Sequence, residues 1–146
     1  MKKLILLFVI ALGISTALVS CSSDDGDSGS SSIVGKWQYS REGALVSNQE
    51  IMTDYEHTSG CSKDYTQFAE DGTVVDVYYY NNGTGCDFST DSGTYTKSGN
   101  TLNVNLGFGA TESTIKKLTS STLKVYTTYT FEGGSSTEIT EFTKVN

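Results

Sequence analysis

The chain has 146 residues, with 17 acidic against 10 basic side chains and a formal net charge of −7. That balance repels the phosphates of nucleic acid and anionic lipid headgroups, and it argues against a nucleic-acid-binding role. Proline is absent, and 15 glycines with abundant Thr, Tyr and Val favour strands separated by glycine turns.

Lys2 and Lys3 form a short positive start, and Leu4 to Leu18 is almost wholly apolar. This run has the length of a signal segment and falls short of the roughly 20 apolar residues that a spanning helix needs. Leu18-Val19-Ser20-Cys21 follows and resembles the lipobox of bacterial lipoproteins. In those proteins cleavage falls just before the cysteine, whose sulfur carries a diacylglyceryl group and whose new amine is usually acylated. Residues 1–20 are therefore expected to be a signal peptide, and Cys21 the lipid attachment site and membrane anchor. The alternatives are an ordinary secretory signal with a chance cysteine and an anchor that is retained. Two or three acyl chains would hold the protein firmly, since each buried methylene contributes about 0.8 kcal/mol. Ser22, rather than Asp, follows Cys21, which tilts the expected address toward the outer membrane. Ser23-Asp24-Asp25 resembles an acidic tract that sends lipoproteins to the cell surface; a plain solvated linker is the equal alternative.

Removing residues 1–20 takes away two lysines and no acids, leaving 8 basic against 17 acidic residues and a formal charge of −9. Residues 22–32 (SSDDGDSGSSS) have no apolar side chain to bury, so 21–32 reads as a lipidated cysteine and a disordered tether. Its root-mean-square reach is on the order of 18 Å. Residues 33–146 then form one domain of 114 residues. With Cys21 lipidated, Cys61 and Cys86 remain as an even pair in an oxidising compartment, which reads as a disulfide. Two free thiols and a metal pair are the rivals. The metal reading lacks ligands, because His57 is the only histidine and no further ligand stands at a metal spacing.

In chain order, Ile33 to Arg41 reads as a first strand with Trp37 and Tyr39 on one face. Glu42 to Lys63 is the least legible stretch: Leu45-Val46 and Ile51-Met52 suit a second strand or a short helix, and Asp54 to Lys63 a loop. Asp64 to Ala69 and Thr73 to Tyr80 read as a hairpin across Asp71-Gly72. In its second arm Val74, Asp76, Tyr78 and Tyr80 oppose Val75, Val77 and Tyr79. Asn81 to Gly85 turns into a strand over Asp87 to Thr96, and Ser98-Gly99-Asn100 turns into Thr101 to Leu106. There Leu102, Val104 and Leu106 share one face. Gly107 to Glu112 reads as a loop, Ser113 to Leu118 and Thr122 to Phe131 as a hairpin, and Thr137 to Val145 as the last strand. Phe142 and Val145 fall on opposite faces of that strand, which predicts a bulge or a ragged end. About eight short strands joined mainly by tight turns predict an all-β fold, a small up-and-down antiparallel barrel whose closure removes the sheet edges. A two-sheet sandwich is the competing architecture and would need longer crossovers.

Several of these residues, taken in order, resemble the bacterial lipocalin-like lipoproteins. They are Ile33-Val34-Gly35-Lys36-Trp37, Cys61-Ser62-Lys63-Asp64, Phe68 with Asp71-Gly72-Thr73, Cys86, Gly93-Thr94-Tyr95, Gly99-Asn100-Thr101-Leu102, and Ile115 with Leu118-Thr119. The resemblance covers nearly all of residues 33–146. It implies an up-and-down barrel and a Cys61–Cys86 bridge. Gly35 and Trp37 resemble the opening motif of lipocalins, whose tryptophan plugs the closed barrel end; a plain core tryptophan is the alternative. Thr53-Asp54-Tyr55 spells another lipocalin motif, but it lies too soon after Trp37 and reads as chance. The late arginine that caps the tryptophan in lipocalins is missing, since Arg41 is the only arginine. Its absence also removes the usual fork for a fatty-acid carboxylate.

Tyr78-Tyr79-Tyr80 with Asn81-Asn82 offers two readings. One is a platform for stacking sugars or flat ligands; the favoured one puts one tyrosine in the core and two on an outer face. His57 with Glu50, Asp54 or Glu56 could form an acid/base pair, but a lone loop histidine among acids reads as solvated. Asp24, Asp25 and Asp27 lack the spacing of a calcium loop. No phosphate loop, nucleophile elbow or zinc motif occurs, so no enzyme, catalytic residue, metal or cofactor is expected. The leading expectation is a lipid-anchored envelope barrel that binds a small hydrophobic ligand. The alternative is a filled barrel acting as a scaffold, whose loops at 42–63 and 81–93 bind an envelope protein or glycan.

Overall fold

Short-period alternation converts most of residues 35–145 into strand. The computed structural model describes residues 31–146; the signal segment 1–20, Cys21 and the tether to residue 30 lie outside the described residues. The strands are β1 (Gly35–Val46), β2 (Gln49–Asp54), β3 (Tyr65–Phe68), β4 (Thr73–Asn81) and β5 (Cys86–Ser98). They continue as β6 (Thr101–Asn105), β7 (Ala110–Leu118), β8 (Thr122–Phe131) and β9 (Gly134–Val145).

All nine belong to one antiparallel sheet in the order β2-β1-β3-β4-β5-β6-β7-β8-β9, and pairing of β1 with β9 closes it. The early half of β1 pairs with β3, from Gly35↔Phe68 to Gln38↔Tyr65. Its late half pairs with β2, from Arg41↔Asp54 to Val46↔Gln49. Eight strands therefore make the barrel wall and β2 is an addition to it, a strand more than the sequence predicts. The illegible 42–63 stretch is a hairpin followed by a loop, with no helix. Its turn is Ser47-Asn48, both at positive φ (50° and 62°), the two-residue turn whose twist matches a hairpin.

Two bulges set which side chains face inward. One separates Tyr39 from Arg41, where β1 passes from β3 to β2. The other, at Lys116, brings Leu118 opposite the inward Leu123 and turns Lys117 outward, the reverse of what plain alternation from Ile115 would give. The bulge predicted in the last strand is absent: β9 pairs with β8 without a break from Gly134 to Thr143, and Phe142 and Val145 merely face opposite sides of the wall. Gly93 is required by close approach, since a Cβ there would lie 1.8 Å from the Asn105 carbonyl oxygen.

The core gathers Ile33, Trp37, Phe68, Val74, Leu102 and Leu123 at the end where β1, β4, β6 and β8 begin. The β1–β2 hairpin curls over the outer wall. Its Glu50 accepts hydrogen bonds from Lys124 Nζ (2.9 Å) and Tyr126 Oη on β8. Lys124 also reaches Glu141 at 3.1 Å. The hydrogen bonds from Lys124 and Tyr126 hold the Glu50 carboxyl below its usual range, and the bond to Glu50 pushes Lys124 up.

Candidate functional site

The inward faces of β1, β3, β4 and β6–β9 enclose a cavity of about 310 Å³. Apolar side chains line it from Phe68, Val74, Leu102 and Leu123 up to Leu106, with hydroxyl residues between them. It opens at the far end of the barrel, beside the β6–β7 connection, where Phe108 is 88 % exposed and Tyr129 also stands at the mouth. Such a volume lies at the lower end of small-ligand pockets, roughly 300–1,000 Å³.

Beneath the floor of Phe68, Val74, Leu102 and Leu123, Trp37 fills the barrel end and has no exposed surface. Its indole Nε1–H donates to the Ile33 carbonyl at 2.6 Å, which folds the entering chain back across the barrel end. Lys144 Nζ lies 4.9 Å from the centre of the Trp37 ring. A cation therefore does cover the tryptophan, supplied by a lysine of β9 in place of the missing arginine. Gly35 makes room for it: a Cβ there would sit 2.7 Å from Lys144 Cε, and its φ of +130° is one side chains avoid. The Gly35-Trp37 spacing thus has a physical reason, which the sequence alone did not connect to Lys144.

Thr111, Ser113, Thr127 and Thr140 bring hydroxyls to the wall, and one patch of it is charged. Alternation puts Asp76 on the inner face of β4 with Val74, and it is only 6 % exposed. Its carboxylate accepts from Tyr39 Oη (2.9 and 3.0 Å), Tyr78 Oη (2.6 Å) and Thr66 Oγ1 (2.8 Å). Three hydroxyls thus do for this charge what water does outside. Burial pushes the Tyr39 and Tyr78 phenols well above the usual tyrosine range, and the Asp76 charge adds to the shift. Among the described residues, no lysine or arginine lines the cavity.

The loop of residues 55–64 patches the wall between β1 and β4. Buried Asp64 accepts from Tyr55 Oη (3.0 Å) and from the Tyr79 amide (2.7 Å). Tyr55 stacks on Tyr39 with ring centres 4.9 Å apart. Burial, then the bond to Asp64, pushes the Tyr55 phenol well above its usual range. His57 is not solvated, contrary to the sequence reading. Its Nδ1 accepts from the Asp64 amide (3.1 Å), so its proton sits on Nε2 and donates to the Tyr39 carbonyl (2.9 Å). Both ring nitrogens are engaged in holding the loop, and neither bonds to Glu50, Asp54 or Glu56. Cys61 is bonded to Cys86, tying the same loop to the start of β5. Of the tyrosine triplet, Tyr78 turns inward to Asp76, Tyr79 packs near Phe88 on the outside, and Tyr80 is exposed at the strand end.

The raised tyrosines give a pH test. Their neutral forms are favoured by the fold, so the stability they lend is complete below the ordinary tyrosine pKa of about 10 and is lost as pH rises above it. Absorbance titration of the nine tyrosines at high pH should show a fraction ionising later in the folded than in the denatured protein. Superimposed curves would contradict the burial of Tyr39, Tyr55 and Tyr78.

The model of the lipocalin-like domain matches residues 22–125. The chain belongs to the lipocalin-like domain family. No curated protein sequence matches it. Among solved structures it is similar to bovine odorant binding protein in complex with undecanal, at 17 % identity and a TM-score of 0.43, covering 77 % of this chain and 70 % of that one. Aphrodisin of the female hamster is similar at 16 % identity and a TM-score of 0.43, with 79 % and 76 % covered. Lobster apocrustacyanin A1 is similar at 11 % identity and a TM-score of 0.47, with 77 % of this chain and 60 % of that chain covered. The fold itself rests on the strand pairing described above.

Proposed function

We propose that this protein is a lipid-anchored barrel of the bacterial cell envelope that binds a small apolar molecule and is not an enzyme. The observation that carries the binding reading is the cavity of about 310 Å³, open at one end and closed at the other by the core packed around Trp37. An open cavity favours a ligand carrier over the filled scaffold that the sequence also allowed. The full chain in phosphatidylcholine nanodiscs should bind a neutral apolar fluorophore such as N-phenylnaphthylamine saturably above empty discs. Leu106→Trp, which fills the upper cavity, should weaken that binding about tenfold or more. A folded wild-type protein that binds no probe would overturn the reading.

The anchor and the outer-membrane address rest on Leu18 to Cys21 and on Ser22. The chain enters the barrel at the Trp37 end, where Lys144 Nζ also donates to the Ser32 carbonyl at 3.4 Å. An anchor upstream of that point leaves the opposite mouth free. Radiolabelled palmitate should enter the protein and should not enter Cys21→Ser. Equal labelling of the two, or none of either, would remove the lipid anchor.

A further inference from the structure

We propose that the cavity selects a short apolar molecule bearing a protonated amine, with Asp76 as the acceptor of its ammonium group. This rests on the ligand-binding reading above and names the ligand's chemical class. The argument is one of hydrogen inventory. Tyr39, Tyr78 and Thr66 each own a single hydroxyl hydrogen, and each hydroxyl lies within bonding distance of an Asp76 carboxylate oxygen. With those hydrogens committed, the polar patch has no donor left to offer. What it presents to the cavity is hydroxyl lone pairs and a carboxylate, from Tyr39, Thr66 and Asp76.

Among the described residues the charge has no counter-ion. Every lysine and arginine contact recorded for the barrel lies on the outer wall, at its ends or on the hairpin, as with Lys124 to Glu50 and Arg41 to Asp54. Asp76 is therefore a buried anion held by neutral donors alone, and a cation placed beside it is attracted more strongly than in water. A carboxylate ligand meets the opposite situation at this patch: like charge, no donor among Tyr39, Thr66 and Asp76, and no guanidinium. A neutral alcohol can donate one hydrogen bond to the same carboxylate but brings no charge of its own. Coulomb attraction for an ammonium, its absence for an alcohol and repulsion of a carboxylate set the order amine, alcohol, carboxylate. The remaining wall, Phe68, Leu102, Leu123 and Phe142, accommodates the apolar body.

The test compares octylamine, octanol and octanoate on the full chain in phosphatidylcholine nanodiscs, by calorimetric titration against empty discs. Octylamine is expected to bind about tenfold or more tighter than octanol, with octanoate weakest. Asp76→Asn should bring the ratio of amine to alcohol affinity toward one. If that variant fails to fold, carbon NMR of the wild type decides: the Asp76 carboxyl resonance should move with octylamine and stay with octanol. Octanol or octanoate binding as tightly as the amine would overturn the amine selection while leaving the ligand-binding reading in place. No binding of any of the three would overturn both.

Discussion

Trp37→Ala is expected to cost the barrel about 3–5 kcal/mol, seen as a large fall in the urea midpoint. The indole has no exposed surface and sits among Ile33, Phe68, Leu123 and Phe142 in one core cluster. Removing it deletes the plug and leaves a hole at the barrel end that short strands cannot collapse to fill. It also strips the Ile33 carbonyl of its only recorded donor. For a domain whose total stability is about 5–15 kcal/mol, that is a large share. Trp37→Phe separates the two effects. Phenylalanine retains most of the apolar contact but orphans the carbonyl, at a cost of about 1–3 kcal/mol. Lys144→Ala should cost about 0.5–1 kcal/mol, the worth of an exposed cation over a ring. Equal midpoints for Trp37→Ala and the wild type would mean that the tryptophan is not the plug described here.

The tryptophan plug was legible through the resemblance of Gly35 and Trp37 to the lipocalin opening motif; alternation alone puts Trp37 on one face of a first strand. The later hairpins were legible from their own pattern: Leu102 and Val104 alternate with polar residues, and Asp71-Gly72 announces its own turn. The β1–β2 hairpin was not, because its turn is Ser47-Asn48 without glycine, and Ile51 and Val46 remain exposed rather than marking an inner face. The amine-facing patch was hidden for a different reason. Both faces of β4 carry apolar residues, and Val77 is buried on the outer side, so alternation could not say which face turned inward. A carboxylate on a strand reads as solvated until its hydroxyl donors are found; beside Tyr78 on the same strand, two of them come from β1 and β3 by register that no local signal carries. The His57 staple is hidden in the same way, since its partners are main-chain groups on either side of a loop.

Replacing both Cys61 and Cys86 with serine is expected to destabilise the protein by about 3.5 kcal/mol in the chain-entropy account of cross-links. The bridge joins residues 25 apart in sequence, so its absence frees a long segment of the unfolded chain, β3 and β4 included. In the native state the same segment is already fixed by other bonds. Thr58 Oγ1 donates to the Tyr79 carbonyl at 2.7 Å, and the Tyr79 amide donates to Asp64 at 2.7 Å. The loss should therefore fall mainly on the unfolded state. Two readouts follow from that placement. The unfolding midpoint should drop in the double variant, and to the same degree when the wild type is reduced. The dependence of stability on urea should steepen, because an uncrosslinked chain exposes more surface when it unfolds. If the loss instead appeared with an unchanged slope and rapid exchange confined to the Asp64 and Tyr79 amides, the bridge would be acting as a native clamp on the wall patch.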